Sequence, residues 1–330
     1  MNIFSPMATG NGAYIIHQIL GNKIPNYYVC GYNPYWTLFP PALPFLCRRQ
    51  AIPDIIHTTP DYAAFFYRKS VPLVLTFQNY MLDRRMRPYS SWAQKIHYAT
   101  DLRLQTWLAF QKAHTVTAVS HFTARLVQQD LNLSRPIKVI YNGVDVNHFA
   151  PGPSSISSRK EVRVFFSGNL TRRKGAHWLL PISRLLNKNV RVYYTQGLRT
   201  RRVLPSGTGL ESIGAVPFKE MPKRYRQMDI LFMPTAREGL SLAVLEAMAC
   251  GLSVVASDCS SLQEQIDDGK GGFLCPVGDV NAFAEKINFL TDSPKLRHEM
   301  GEYNRSKVEK MFTIERMVNE YRELFEEVLS

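Results

Sequence analysis

A chain of 330 residues with 45% hydrophobic and 12% aromatic content holds enough apolar mass for two cores, which excludes a disordered or low-complexity protein. No apolar run nears the ~20 residues that span a bilayer, and no basic, apolar leader precedes the opening MNIFSP. The net charge of +13 is unevenly held: residues 1–150 carry 14 Lys and Arg against 6 Asp and no Glu, and residues 151–330 carry 26 against 21.

The first half is thus short of acid as well as rich in base, which favours an anionic partner. Nucleic acid, an anionic membrane and a phosphate-bearing acceptor all fit that field. Asn2-Ile3-Phe4 predicts a first strand, Gly10-Asn11-Gly12 a tight loop, and Ala13 to Leu20 a helix. A glycine-rich strand–loop–helix junction holds a phosphate or is merely a turn. Tyr35-Trp36-Thr37-Leu38-Phe39, Leu43, Phe45 and Leu46, ahead of Arg48-Arg49, form an amphipathic patch broken by prolines. A second patch interleaves Arg84, Arg85 and Arg87 with Tyr89, Trp92, Lys95, Tyr98, Arg103 and Trp107. Each suits a membrane interface or lipid diphosphate, or else partly buried helices and loops. Apolar runs at 54–57, 73–77, 116–119 and 138–140 predict further strands.

Pro151 to Lys160, PGPSSISSRK, reads as a linker. After it the alternation restarts, with strands expected at 162–166, 190–194, 230–233 and 253–256. Strands spaced by helices imply parallel sheets covered on both faces. The chain therefore reads as α/β, two Rossmann-like doubly wound domains facing a cleft, 1–150 and 151–311, followed by an amphipathic closing helix in 312–330. Cys30, Cys47, Cys250, Cys259 and Cys275 are scattered and odd in number, so reduced, buried thiols in a cytoplasmic protein are expected. His57, His97 and His114 have no metal-ligand spacing, and no Asp-x-Asp pair occurs.

Two segments of the second half carry chemistry. Gly168-Asn169-Leu170-Thr171-Arg172-Arg173-Lys174-Gly175 follows a strand and enters a helix, and three consecutive cations at a helix entrance suit a pyrophosphate or a solvated basic loop. In Glu238 to Ala256, Ser241 is placed as N-cap, Leu242 to Ala249 as helix and Gly251 as C′. Glu246 is the one charged side chain between Gly239 and Ala256. Two carboxylates beside the free N–H groups of a helix start can hold a ligand with both phosphates and hydroxyls, unless Glu246 only pairs with a distant Arg.

Glu238-x7-Glu246, followed by Ala247-Met248-Ala249-x-Gly251 and an apolar strand, closely resembles the signature of retaining glycosyltransferase family 4. The resemblance is strong over residues 160–285 and moderate over 1–145. It implies the GT-B fold and transfer of a hexose from a UDP-sugar or GDP-sugar to a hydroxyl of a glycan, lipid-linked or small-molecule acceptor, as in polysaccharide biosynthesis. It implies that Glu246 binds ribose hydroxyls and that Glu238 lies near the transferred sugar. The N–H groups of Gly239, Leu240 and Ser241 would approach sugar or diphosphate, and Gly12 would lie in a loop closing on the ligand. Gly168, Asn169, Arg172, Arg173 and Lys174 would form the diphosphate loop. Asn169 stands where the family has Arg, so Arg172 or Arg173 supplies the missing cation. Gln78 stands where a His is expected, and Gln cannot exchange a proton near pH 7. The catalytic set implied is Glu238, Lys174 and Arg173, with no cofactor, no metal and no nucleic acid. The protein would be cytoplasmic, with attachment to the inner face of an anionic membrane left open. Gln78 and Asn169 also leave open a non-catalytic protein that binds sugar nucleotides or serves as a scaffold.

Overall fold

Runs such as Leu73-Val74-Leu75-Thr76-Phe77 and Ile230-Leu231-Phe232-Met233 have no polar face, so each must be covered on both sides, and helices supply the cover. In the computed structural model this gives two α/β units: 1–142 together with 314–330, and 143–313. The structure describes residues 1–47, 52–133, 136–152, 160–197, 204 and 209–330. Arg48-Arg49 and most of the expected 151–160 linker lie outside the described residues.

The first unit runs β1 (Ile3–Ala8), α1 (Gly12–Lys23), β2 (Tyr27–Tyr32), α2 (Leu43–Leu46), β3 (Ile55–Thr58), β4 (Leu73–Phe77), α3 (Trp92–His97), α4 (Arg103–Lys112), β5 (Thr115–Ala118), α5 (His121–Leu131) and β6 (Lys138–Val139). Its parallel sheet has the order β2-β1-β3-β4-β5-β6.

The second unit runs β7 (Val162–Phe166), α6 (Ala176–Ser183), β8 (Val190–Tyr194), β9 (Leu210–Ser212), α7 (Met221–Tyr225), β10 (Ile230–Met233), α8 (Leu242–Ala249), β11 (Ser253–Ser257), α9 (Leu262–Gln265), β12 (Gly272–Cys275), α10 (Val280–Thr291) and α11 (Pro294–Met311). Its sheet, also parallel, has the order β12-β11-β10-β7-β8-β9. The last helix, α12 (Ile314–Leu329), belongs to the first unit. Met317, Val318, Tyr321, Leu324 and Phe325 recur at helical spacing and are all buried.

A polar seam runs through the first core. Tyr27 Oη lies 2.8 Å from His17 Nδ1 and 2.7 Å from His57 Nδ1. His57 Nε2 reaches Thr76 Oγ1 at 2.7 Å, and Thr76 meets Thr117 Oγ1 at 2.7 Å and Tyr321 Oη at 3.2 Å. Burial pulls the His17 imidazole down to about 3 and His57 well below its ordinary value, so both are neutral hydrogen-bonding groups. His57 is therefore part of the core.

Two expectations are corrected here. The break between units falls after Asn142 rather than at 150, because residues 143–150 are stitched to the second unit. Val144 N–H donates to Phe312 O, Arg305 Nη1 donates to Val146 O and Phe149 O, and Arg226 Nε donates to Ala150 O. The cysteines are not all reduced: Cys30, in β2, and Cys47, just past α2, form a disulfide. The fold brings their Cα atoms to 5.8 Å, inside the range a bridge needs, although 17 residues separate them in sequence. Cys250, Cys259 and Cys275 are free thiols. Among the described residues no helix is long and apolar enough to cross a membrane.

Candidate functional site

Strands β7 and β10 are parallel neighbours, so the loops that follow them leave the same edge of the sheet side by side. That topology brings 167–175 against 234–241. The contact is close enough to demand glycine: a Cβ on Gly175, whose φ is +80°, would sit 1.8 Å from Pro234 O. Ala236 N–H and Thr235 Oγ1 both donate to Arg173 O, at 2.8 and 3.0 Å, and lock the loops together.

Side chains from the two loops meet at Glu238. Lys174 Nζ lies 2.7 Å from Glu238 Oε1 and Arg173 Nη1 3.5 Å from it, while Thr235 Oγ1 donates to the same oxygen at 2.9 Å. Arg173 Nη1 also donates to Arg237 O at 2.8 Å. Burial works to raise the Glu238 carboxyl, but Lys174 and Arg173 outweigh it and hold the group below its ordinary range. Burial pulls the Lys174 ammonium down from its usual value, against the attraction of Glu238. The result is two cations and one carboxylate in a low-dielectric pocket, with a surplus of positive charge.

Helix α8 carries the second carboxylate. Tyr225 Oη, from α7, donates to Glu246 Oε2 at 2.8 Å and to Ala243 O at 3.3 Å. Burial pushes Glu246 up to about 7, opposed by the Tyr225 hydrogen bond and by Lys174. A tyrosine thus supplies the hydrogen bond to Glu246, where the sequence left open a distant Arg. Ser241 stands at the N-cap position of α8, but its side chain does not cap the helix. Its N–H donates to Gln265 Oε1 and its O accepts from Gln265 Nε2, leaving a buried hydroxyl with no hydrogen-bond partner among the described residues. Gly239 and Leu240 are buried beside it, and Glu238 N–H is taken by Ser260 Oγ at 2.9 Å. Gly251 has the positive φ of +77° expected at C′.

The remaining expected residues fall into place differently. Arg172 is exposed and lies by His177, whose pKa is lowered by burial and by that cation. Of the two arginines, Arg173 is the one that faces Glu238. Gly168 N–H donates to Thr195 Oγ1, and Asn169 packs against Gly197, where an added Cβ would lie 2.4 Å from Asn169 Oδ1. Gly12 opens α1 in the first unit, where Asn11 Oδ1 caps Tyr14 N–H and no atom lies within 4 Å of a Cβ built on Gly12. Gln78 accepts from Asn142 Nδ2 at 2.8 Å. Sequence reasoning missed Thr235, within the Glu238 loop itself, and Tyr225 and Ser260, which reach the site from other elements and have no motif of their own.

Comparison with known proteins agrees with the two-unit fold. The family described as Glycosyltransferase Family 4 matches residues 3–148, and that described as Glycosyl transferases group 1 matches 161–293. Among curated relatives, D-inositol 3-phosphate glycosyltransferase of Corynebacterium jeikeium is 30% identical over 218 residues, covering 58% of this chain and 52% of that protein. Its counterpart in Corynebacterium urealyticum is 31% identical over 200 residues, covering 51% and 46%. The chain thus spans about half the length of these relatives. Among solved structures, sucrose-phosphate synthase from Thermosynechococcus elongatus superposes with a TM-score of 0.81 at 15% identity, covering 99% of both chains. Anabaena HepE in complex with UDP and glucose superposes at 0.77 and 18% identity, again covering 99% of both chains. At those identities the likeness establishes the fold, GT-B. With two family matches in tandem over most of its length, the chain belongs to the group 1 glycosyltransferases of family 4.

Proposed function

We propose that this protein is a retaining, metal-independent glycosyltransferase that moves a hexose from a UDP-sugar or GDP-sugar to a hydroxyl of a glycan, lipid-linked or small-molecule acceptor. The observation that carries the reading is the convergence of the partly buried Lys174 and Arg173 on the buried Glu238, a cluster with a surplus of positive charge. Glu246, on the adjoining helix, accepts hydrogen bonds from the ribose hydroxyls. Lys174 and Arg173 hold the diphosphate and take up the charge that grows on it as the glycosidic bond breaks; such stabilisation is usually the largest single catalytic contribution. Glu238 keeps both cations aimed and lies by the transferred sugar, with the N–H groups of Gly239 to Ser241 and the open Ser241 hydroxyl beside it. The departing phosphate takes the acceptor proton, so Gln78 need not act as a base.

HepE, which superposes over nearly the whole chain, is described in complex with UDP-glucose, which supports a sugar-nucleotide donor here. We place the protein in the cytoplasm, at the inner face of the membrane when its acceptor is lipid-linked. The Cys30–Cys47 disulfide is the feature that pulls against a reducing compartment.

The test is donor binding by calorimetry with UDP- and GDP-sugars. Lys174→Ala and Glu246→Ala should each weaken donor binding or turnover on the order of 10²-fold, since one charge-assisted hydrogen bond contributes about 1.5–3 kcal/mol, with the melting profile retained. Two folded variants with wild-type donor affinity and turnover would refute the site.

A further inference from the structure

The carboxyl edge of the first sheet carries a surface that glycosyl transfer does not explain. From Ile24 to Cys47 there is no charged residue. The segment leaves β2 and folds into three short helical turns, Pro34–Leu38, Pro40–Ala42 and α2, in which Leu43 is buried while most of the other large apolar side chains point outward. Tyr35, Leu38, Phe39 and Phe45 are 62–84% exposed. The Cys30–Cys47 disulfide closes the base of this loop, so the hydrophobes are presented on a tethered platform.

A cationic rim lies on the same edge. Because the sheet is parallel, the segment after β4 leaves by the same side as the loop after β2, three strand spacings or about 14 Å away. It carries exposed Arg84, Arg85, Arg87 and Lys95 together with exposed Trp92 and Ile96, and α3 buries none of its residues. The one acid between residues 62 and 100 is Asp83. That carboxylate is buried and accepts from Arg85 N–H. The rim therefore offers no acidic side chain of its own to the exposed cations.

We infer that this edge is a docking surface for an anionic lipid bilayer, with the disulfide-closed 34–46 loop as the inserting wedge and the 84–95 segment as its electrostatic collar. Charge complementarity selects the occupant. A wedge without a charge leaves water without cost to an ionic group, Tyr and Trp settle at the headgroup level, and cations with no acid of their own meet lipid phosphates. A sugar-binding platform would need hydrogen-bonding groups around its aromatic faces, and Leu38, Phe39 and Phe45 bring none. The inference stands apart from the donor reading, since none of these residues belongs to the donor unit.

Co-sedimentation of the full chain with vesicles of phosphatidylglycerol and phosphatidylcholine, and of phosphatidylcholine alone, tests it. Wild type should pellet with the anionic vesicles at low salt and bind neutral ones at least tenfold more weakly, the difference fading near 1 M salt as the Debye length falls to ~3 Å. Leu38→Asp/Phe45→Asp should cost about tenfold or more in affinity at any salt. Arg84→Ser/Arg85→Ser/Arg87→Ser should erase the preference for anionic lipid while keeping residual salt-independent binding. All of these side chains are exposed, so far-UV circular dichroism and melting should match wild type. Failure of wild type to pellet, equal binding to both vesicles, or wild-type binding by Leu38→Asp/Phe45→Asp would each overturn the inference. So would a wild-type dimer that this double variant dissolves without any lipid binding, since the face would then join two copies.

Discussion

Glu246 is the residue whose protonation decides most. Its carboxyl is raised to about 7, and on the proposed reading it is the ionised form that accepts from two ribose hydroxyls. Affinity for a sugar nucleotide, whose phosphates do not titrate in this range, should rise about tenfold between pH 6 and pH 8 and level off above that. Folding runs the other way: the folded state binds this proton more tightly than the unfolded chain, so its contribution favours folding at low pH and is lost as pH rises through 7. Titration calorimetry of wild type and Glu246→Gln across that interval checks the donor half; a slope that persists in Glu246→Gln assigns it to another group. The two carboxylates were legible in the sequence because one loop and one helix hold both, with fixed spacing. The tyrosine that orients Glu246 was not, because Tyr225 sits 21 residues upstream on another helix and only packing brings it there.

At the scale of the element, legibility followed burial. Strands β4 and β10 are buried at every position and announce themselves as unbroken apolar runs. Three edge strands escaped notice: β2, half-exposed Tyr27–Tyr32; β9, with Glu211 and Ser212 exposed; and β12, which opens on Gly272 directly after Gly271. An edge strand has one neighbour and is free to be polar or short, so its pattern is weak. The disulfide was hidden for a related reason, since one cysteine lies in edge strand β2 and the other follows a four-residue helix. Opening it should be costly. A closed loop of that size contributes about 3 kcal/mol through the unfolded chain, so Cys47→Ser, or reduction, should lower the urea midpoint of the first unit. A midpoint unchanged by dithiothreitol would show that the bridge does not form in solution.

For the whole molecule, the uneven charge and the tandem of Rossmann-like units were legible from composition and strand spacing, while the exact join was not. Residues 143–150 carry no sign that Arg226 and Arg305, far along the chain, will claim their carbonyls. On the proposed reading, Arg173 and Lys174 at the loop junction offset the diphosphate in place of a divalent ion. Transfer should therefore persist in excess EDTA, measured as sugar release or incorporation from the donor. Complete loss that added Mg²⁺ or Mn²⁺ reverses would overturn that part of the mechanism.

The return of α12 to the first unit has a consequence for how the protein is made. Residues 1–142 leave the ribosome well ahead of Tyr321 and Phe325, which cover His57 and Thr76. Throughout synthesis of the second unit the nascent first unit carries an uncovered flank with two imidazoles and a row of hydroxyls at its centre. The second unit, by contrast, is complete once Thr313 has emerged. A proteolytic cut within residues 314–330 therefore strikes the first unit, although most of that unit lies far upstream in the chain.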